Sequence, residues 1–439
     1  MAEQTSSYGI EIKHANKIFY KTITLFNDAV TFCVDVFEKK WTEISVLSPL
    51  ARKTFAEGLI HSTKSNVAKY AEFDKKFRKM PSYMRRSAIS DALGSLSSYH
   101  SNYDNWVAGG CIGSAPTLQR KRNVMPTFYR DNSYLDGDGD TVYLKLFVNG
   151  DWNWVPFTLK HTDLQYIRRH CDTSHMSCPT LEKVHHKWFL RFSFEEEYHL
   201  SNKKYSEQTI LAVDLGINTD AVCSVMKSDG TVLARKFINF ASDKDLIYHT
   251  LNKIKKVSRI SGPHNTTKLW RYAALHNEEL GRKIAGAITD YAVSQNCDVI
   301  VFEHLDTSGK KKGSKSKKQR LHMWRKNTIQ KITEHKAHKN GIRISRICAW
   351  NTSRLAYDGS GVVSRGRDAG FSTNGLCRFQ NGKIYNCDLS ASYNIGARYF
   401  IREIQKQNPV KWSDIQAKVP ECQKRTQCTY HTLLSINAA

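Results

Sequence analysis

Three acidic residues stand where apolar runs end or a helix begins, places where a carboxylate has chemistry open to it. Asp214 closes Thr209-Ile210-Leu211-Ala212-Val213-Asp214 and is followed by Leu215-Gly216-Ile217-Asn218. Glu303 closes Asp298-Val299-Ile300-Val301-Phe302-Glu303, and Asp388 opens Asp388-Leu389-Ser390-Ala391-Ser392-Tyr393-Asn394-Ile395-Gly396-Ala397. A charge at the lip of a hydrophobic sheet is costly unless a cation, often a metal ion, pairs with it. Carboxylates converging on two divalent ions about 4 Å apart activate water and stabilise a leaving oxygen, which is the chemistry of phosphodiester cleavage. A solvated strand end is the plainer explanation for any one of the three.

The three acids are far apart in the chain, so only a fold can bring them together. Strands one and four of a ribonuclease-H-like sheet, plus a following helix, would do so. From Thr209 onward the pattern is strand, strand, strand, helix, strand, which marks an α/β domain. The strands fall at 209–214, 221–226 and 231–237, with Gly216 allowing a tight turn after the first and Asp229-Gly230 before the third. Leu269, Ala273, Leu280, Ile284, Ala287 and Tyr291 space out a long amphipathic helix, with Arg259, Lys268, Arg271, Arg282 and Lys283 along its outer side. The strand ending at Glu303 follows, then a helix over about 321–339 and a strand over 342–349. An ATP-binding actin-like or sugar-kinase domain also starts with Asp-x-Gly after a strand, but needs a second Asp-Gly turn and a Gly-Gly element that the sequence lacks in suitable context.

The first half has a different character. Residues 8–13 read as a short strand, and Phe19, Ile23, Phe26, Val30, Cys33 and Phe37 line one helical face. Further helices are expected over 48–70 and 84–99, completing a small helical domain with Lys39, Lys40, Lys75, Lys76, Arg78, Lys79, Arg85 and Arg86 on its polar faces. Short β runs follow at 128–129, 141–148, 154–159 and 187–194. Asp136-Gly137-Asp138-Gly139-Asp140 lacks the sixth-place glycine and twelfth-place acid of a calcium loop and reads as a hairpin turn. His170, Cys171, His175 and Cys178 match no tight zinc-ligand spacing.

A formal net charge of +25, from 66 Lys and Arg against 41 Asp and Glu, points to a polyanionic partner. The densest run, 308–320, is lysine with glycine and serine and reads as a mobile loop, either solvated or on nucleic acid. No 18-residue apolar stretch occurs, so no membrane span is expected. The first residues lack a basic-then-apolar leader, and 11 cysteines without tight pairing suit reduced thiols, so a cytosolic protein is expected.

Over about residues 205–400 the chain resembles the transposon-encoded TnpB family and the compact type V CRISPR effectors. The resemblance rests on Val213-Asp214-Leu215-Gly216-Ile217-Asn218, on Val299-Ile300-Val301-Phe302-Glu303-His304-Leu305, on the Asp388 run, and on Asn351-Thr352-Ser353-Arg354, similar to the Thr-Ser-Arg before the family's zinc ribbon. It implies an RNA-guided DNA endonuclease with a RuvC-like, ribonuclease-H-like α/β domain. Asp214, Glu303 and Asp388 would be its catalytic, Mg²⁺-binding acids, with two ions expected. It further implies a wedge-like β-barrel at 1–13 and 115–205, a helical recognition domain at 14–114, the nuclease at 206–350 and 386–439, and a degenerate zinc-ribbon-like, target-contacting insert at 351–385.

Guide RNA and target DNA are the implied partners, with Arg354, Lys310, Lys311, Lys312, Arg85 and Arg86 as nucleic-acid contacts. One or two copies of the chain could share a guide, in a prokaryotic cytosol near the nucleoid. Two departures matter. The family's paired Cys-x-x-Cys motifs are missing and after Thr-Ser-Arg only Cys377 and Cys387 remain nearby, so zinc is not expected; and Ser390 stands where the family usually has Asn. The competing readings are an RNA-guided DNA-binding regulator without cleavage, and a guide-independent nuclease or resolvase of the same fold.

Overall fold

In a computed structural model, residues 2–15, 17–120, 123–171, 175–304 and 323–439 are described. Lys310, Lys311 and Lys312, with the whole basic run they belong to, lie outside the described residues. The chain divides into two units, 3–196 and, with residues 1–2, 197–439.

The first unit contains β1 (Ala2–Ile12), α1 (Phe19–Glu38), α2 (Trp41–Ser45), α3 (Pro49–Ile60), α4 (Glu72–Lys76), α5 (Ser82–Ala108), β2 (Tyr134–Asp136), β3 (Thr141–Val148), β4 (Asp151–Thr158), α6 (His161–His170), β5 (Thr180–Val184) and β6 (Lys187–Tyr198). Its strands form two three-stranded sheets, ordered β1-β6-β5 and β2-β3-β4. The apolar stripe of α1 is buried as its spacing predicts, and Phe19 stacks on Phe157 at 5.1 Å and tilts against Trp188 at 4.9 Å. Such ring pairs add about 0.5–1.5 kcal/mol beyond their burial. The acid-rich run after β2 is a turn, with the Tyr134 hydroxyl donating to Asp136 at 2.6 Å and the Gly137 N–H to the Thr141 carbonyl at 3.0 Å.

Several elements differ from the sequence reading. The helix expected over 48–70 stops at Ile60, because His61 turns extended and the Asp74 carboxylate accepts from the Ser62 N–H at 3.0 Å and pairs with the His61 ring at 2.7 Å. The 128–129 run forms no strand; Phe128 is a core side chain. Two further helices, α6 and α7 (Ala241–Ser261), bury few apolar side chains, Ile167 in the first and Ile247 and Ile254 in the second, so a search for apolar runs passes over them. Arg259 lies on α7, not on the long helix to which its charge was assigned.

The second unit is built on a five-stranded sheet of β7 (Thr209–Leu215), β8 (Ala221–Lys227), β9 (Val232–Ile238), β10 (Val299–His304) and β11 (Arg343–Cys348), ordered β11-β10-β7-β8-β9. The first three strands run antiparallel and β7-β10-β11 parallel, the order expected of a ribonuclease-H-like sheet. Side chains alternate between faces. Leu211, Val213, Ile300 and Phe302 pack with α8 (Thr267–Ser294) and α9 (Lys326–Lys339). Ile210, Ala212, Val299 and Val301 pack on the other face with α10 (Cys387–Gln407). That helix approaches closely at Gly396, where an added Cβ would meet Met226 Sδ at 3.0 Å and Ala212 Cβ at 3.3 Å.

Between β11 and α10 lies an insert whose short strands β12 (Ser364–Arg365), β13 (Leu376–Arg378) and β14 (Ile384–Asn386) pair antiparallel. Its core is Ala356, Phe379 and two buried free thiols, Cys377 and Cys387. The Tyr357 ring joins it to the helix face, 5.7 Å from Phe379, 5.0 Å from Tyr385 and 5.2 Å from Tyr393. Packed rings thus hold the insert against the helix. Two helices, α11 (Trp412–Lys418) and α12 (Tyr430–Ala438), close the chain.

Candidate active site

The period of two along a strand decides which way the acids face. Asp214 follows Ile210 and Ala212 in phase, and Glu303 follows Val299 and Val301, so both carboxylates belong to the face that α10 covers. The parallel register pairs Val213 with Phe302, which sets Asp214 beside Glu303 on adjacent strands. Asp388 sits in the first turn of α10, which Asn386 caps by accepting the Leu389 N–H at 2.9 Å. An acid in that turn is also favoured by the positive end of the helix dipole.

Gly216 permits the chain to leave β7 at this point. A Cβ there would come within 2.5 Å of the Thr219 carbonyl oxygen, so the turn back into β8 excludes any side chain.

Four carboxylates among the described residues of this unit are buried, and their partners sort them. Asp220 accepts the Phe240 N–H at 2.7 Å and pairs with Lys244 at 3.2 Å. Asp298 accepts Ser201 Oγ at 2.9 Å and the Thr209 N–H at 3.0 Å, and pairs with Lys203 at 2.8 Å. These two are structural. Asp214, 8% exposed, has neither a hydrogen-bond donor nor an ion-pair partner among the described residues. Glu303, 7% exposed, has one donor to its carboxylate among the described residues, the Thr352 hydroxyl.

Electrostatics reflect that difference. Burial, then repulsion from Glu303 and Asp388, pushes Asp214 well above the usual carboxylate range, with Arg365 opposing. Burial raises Glu303 against the Thr352 hydrogen bond and the charges of Arg398 and Lys326. Burial raises Asp388 as well, again with Arg365 opposing. The fold thus sets Asp214 within reach of the charges of both Glu303 and Asp388 and leaves it undercompensated, which favours a cation.

Among the described residues no three acid, His or Cys side chains already form a closed ligand set. The donors that face one another are nevertheless carboxylate oxygens, the hard ligands that suit magnesium. Asp214, Glu303 and Asp388 are the residues that would hold it.

Several surrounding residues escaped the sequence reading. Arg365, in the Gly-rich insert, is brought toward the acids by its strand register with Cys377, and its guanidinium donates to the Ser353 carbonyl. Arg398 is 5% exposed and spends its guanidinium on the carbonyls of Cys428 at 2.9 Å, Cys348 at 3.0 Å, Trp350 at 2.7 Å and Thr426 at 3.0 Å. Ser390, marked in the sequence only as a departure from the family's Asn, accepts the Tyr357 N–H at 3.2 Å and so ties the insert to α10. No local pattern marks these roles, because each partner comes from a distant segment.

The expected nucleic-acid contacts divide. Arg354 is exposed just after the Thr352 turn. Arg85 and Arg86 both bind the Glu57 carboxylate, at 2.9 and 3.0 Å, and Arg85 is mostly buried in that clamp between α3 and α5. His170, Cys171, His175 and Cys178 form no ligand group among the described residues.

A family model described as the Aq_aa04 family matches residues 6–148, less than half of the chain and short of all three acids. No curated protein matches. Among solved structures, a Cas12f1-sgRNA-target DNA complex is 15% identical over 89% of this chain and 98% of that one, with a TM-score of 0.34. Alicyclobacillus acidoterrestris C2c1 with single-guide RNA is 10% identical over 88% and 69%, at 0.44. CasPhi-2 (Cas12j) bound to crRNA and phosphorothioate-DNA is 10% identical over 89% and 90%, also at 0.44. At these values the overlaps are partial, and what the site can do is read from its own acids and strand order.

Proposed function

We propose that this protein is an RNA-guided DNA endonuclease whose nuclease centre is Asp214, Glu303 and Asp388. The observation that carries the proposal is the pair of buried carboxylates on adjacent strands, Asp214 without a partner among the described residues and Glu303 only partly compensated, with a third in the first turn of the helix covering the same face. Magnesium held by the three would supply Lewis-acid charge to a phosphodiester. Asp214 and Asp388 would bind it from the strand end and the helix start, and Glu303 would complete the set and orient the attacking water. Arg365 lies near enough to Asp214 and Asp388 to steady them before the metal arrives.

The +25 charge suits a guide RNA and its heteroduplex, which are held by backbone while base pairing reads the sequence. In this reading β1 and the 115–205 strands form a wedge-like barrel, the helices of 14–114 the recognition element, and the insert a target-contacting piece. The α7–α8 hairpin offers a further surface for the polyanion. From 246 to 277 it has six Lys or Arg and no acid, and Tyr248, Trp270 and Tyr272 are exposed on it.

The test is to express the protein with its native flanking DNA, purify it and sequence the RNA that accompanies it. One abundant RNA ending in a variable segment, followed by Mg²⁺-dependent cutting of DNA that matches this segment, is the expected result. Only heterogeneous cellular RNA, with cutting that ignores sequence, overturns the guided reading in favour of a guide-independent nuclease.

A further inference from the structure

We infer that Thr352 positions the Glu303 carboxylate for its cation, and that α10 fixes Thr352 through Asn394. The inference deepens the nuclease reading and rests on it.

Thr352 follows β11, is 1% exposed, and its hydroxyl faces two acceptors, a Glu303 carboxylate oxygen and the Ala349 carbonyl at 2.8 Å. A hydroxyl carries one proton. With Glu303 ionised, that proton belongs on the carboxylate, since a charged acceptor makes the stronger bond. Among the described residues nothing else donates to this carboxylate; Gln330 reaches only the Glu303 backbone carbonyl, at 3.0 Å. The rotation of the carboxylate about its own stem is therefore set by Thr352.

Thr352 is in turn held rigidly. Asn394 is fully buried, and its amide nitrogen donates to the carbonyls of Thr352 and Leu355, both at 2.9 Å, while its oxygen accepts the Tyr430 N–H at 2.9 Å. The two ends of that amide face opposite kinds of partner, so its orientation is unique. One helical turn later Arg398 grips the carbonyls of Cys348 and Trp350. Two side chains of α10 thus pin four carbonyls of the segment running from β11 past Thr352. The helix that presents Asp388 in its first turn also sets the orientation of Glu303, and so two of the three acids are registered by one rigid element.

The experiment compares the full-length wild type with T352V and T352S, each purified with its own RNA. Three quantities are measured: Mn²⁺ affinity by titration, melting temperature without metal, and the Mg²⁺ concentration giving half-maximal cleavage. Val keeps the shape of Thr and removes the hydroxyl; Ser keeps the hydroxyl. Loss of a partner behind a metal ligand typically weakens the metal about 10–100-fold, so T352V should bind Mn²⁺ and respond to Mg²⁺ that much more weakly, with T352S within about 3-fold of wild type.

Wild-type Mn²⁺ affinity in T352V overturns the inference and leaves the nuclease reading intact. A lowered metal-free melting temperature with unchanged metal response also overturns it, because Thr352 is then only a brace for the Ala349 turn. A wild type that binds no Mn²⁺ and cuts no DNA removes the nuclease reading, and the positioning role goes with it.

Discussion

Two regions of the second unit carry opposite electrostatic problems. At the rim of the five-stranded sheet, three carboxylates are buried or half-buried and short of counter-charge. On the α7–α8 hairpin, a long stretch is basic and free of acids, with its charges in solvent. The first is a small, rigid anion site that fits point cations, and its strength comes from exclusion of water. The second is a broad cationic surface that fits a phosphate backbone, and solvent and salt weaken it. The contrast is between a site defined by geometry and one defined by charge density, and substitutions should affect them differently.

The largest effect is expected at the rim. Asp214→Ala should lower cleavage by at least about 10³-fold, more than the 10–100-fold that a partner behind a ligand commands, while RNA binding stays within a few fold. Equal loss of cleavage and RNA binding in the same preparation would mark a folding defect and dissolve the distinction between the regions.

A smaller effect is expected on the hairpin. Changing Lys255, Lys256 and Lys268 together to Ala should weaken nucleic-acid binding and flatten the plot of log affinity against log salt by about 0.7–0.9 for each lysine that meets a phosphate. Cleavage at saturating nucleic acid should barely change. An unaltered salt slope would make the hairpin a bystander and leave only the rim as a functional region.

The smallest effect is on stability, and it reveals the sign of the rim's electrostatics. Asp214 is raised by burial and by its acidic neighbours, so the fold favours its protonated form. Stability linked to it is complete at low pH and is lost as pH rises through the raised value. Asp214→Asn removes that loss, so without metal the variant should melt higher than wild type, with a larger gain at pH 8 than at pH 5. About 1 kcal/mol would appear as roughly 2–4 °C in a unit of this size. An equal or reversed gain at the two pH values would show that Asp214 is already compensated and would erase the contrast with the hairpin.

Much of the rim was legible in the residues themselves. A strand buried on both faces reads as an unbroken apolar run, so Thr209–Leu215 and Val299–His304 announced their type and the acids at their ends. The stripe of α1 and the helix that opens at Asp388 were legible for the same reason. The sequence alone thus determined the type of these elements, the place of an acid at the end of each of the two strands and at the start of the Asp388 helix, and the excess of positive charge, because periodicity and composition are local quantities.

Tertiary structure decided the rest. It determined that β10 lies beside β7 in a register setting Glu303 against Asp214, that Asp298 and Asp220 are neutralised while Asp214 is not, and that Arg85 is committed to Glu57. It also packed Tyr357, Tyr385 and Tyr393 into one cluster, and brought Thr352, Asn394 and Tyr430 from three segments into one hydrogen-bonded chain. Each of these depends on which distant groups are close in space once water has been expelled, and no spacing along the chain encodes that distance.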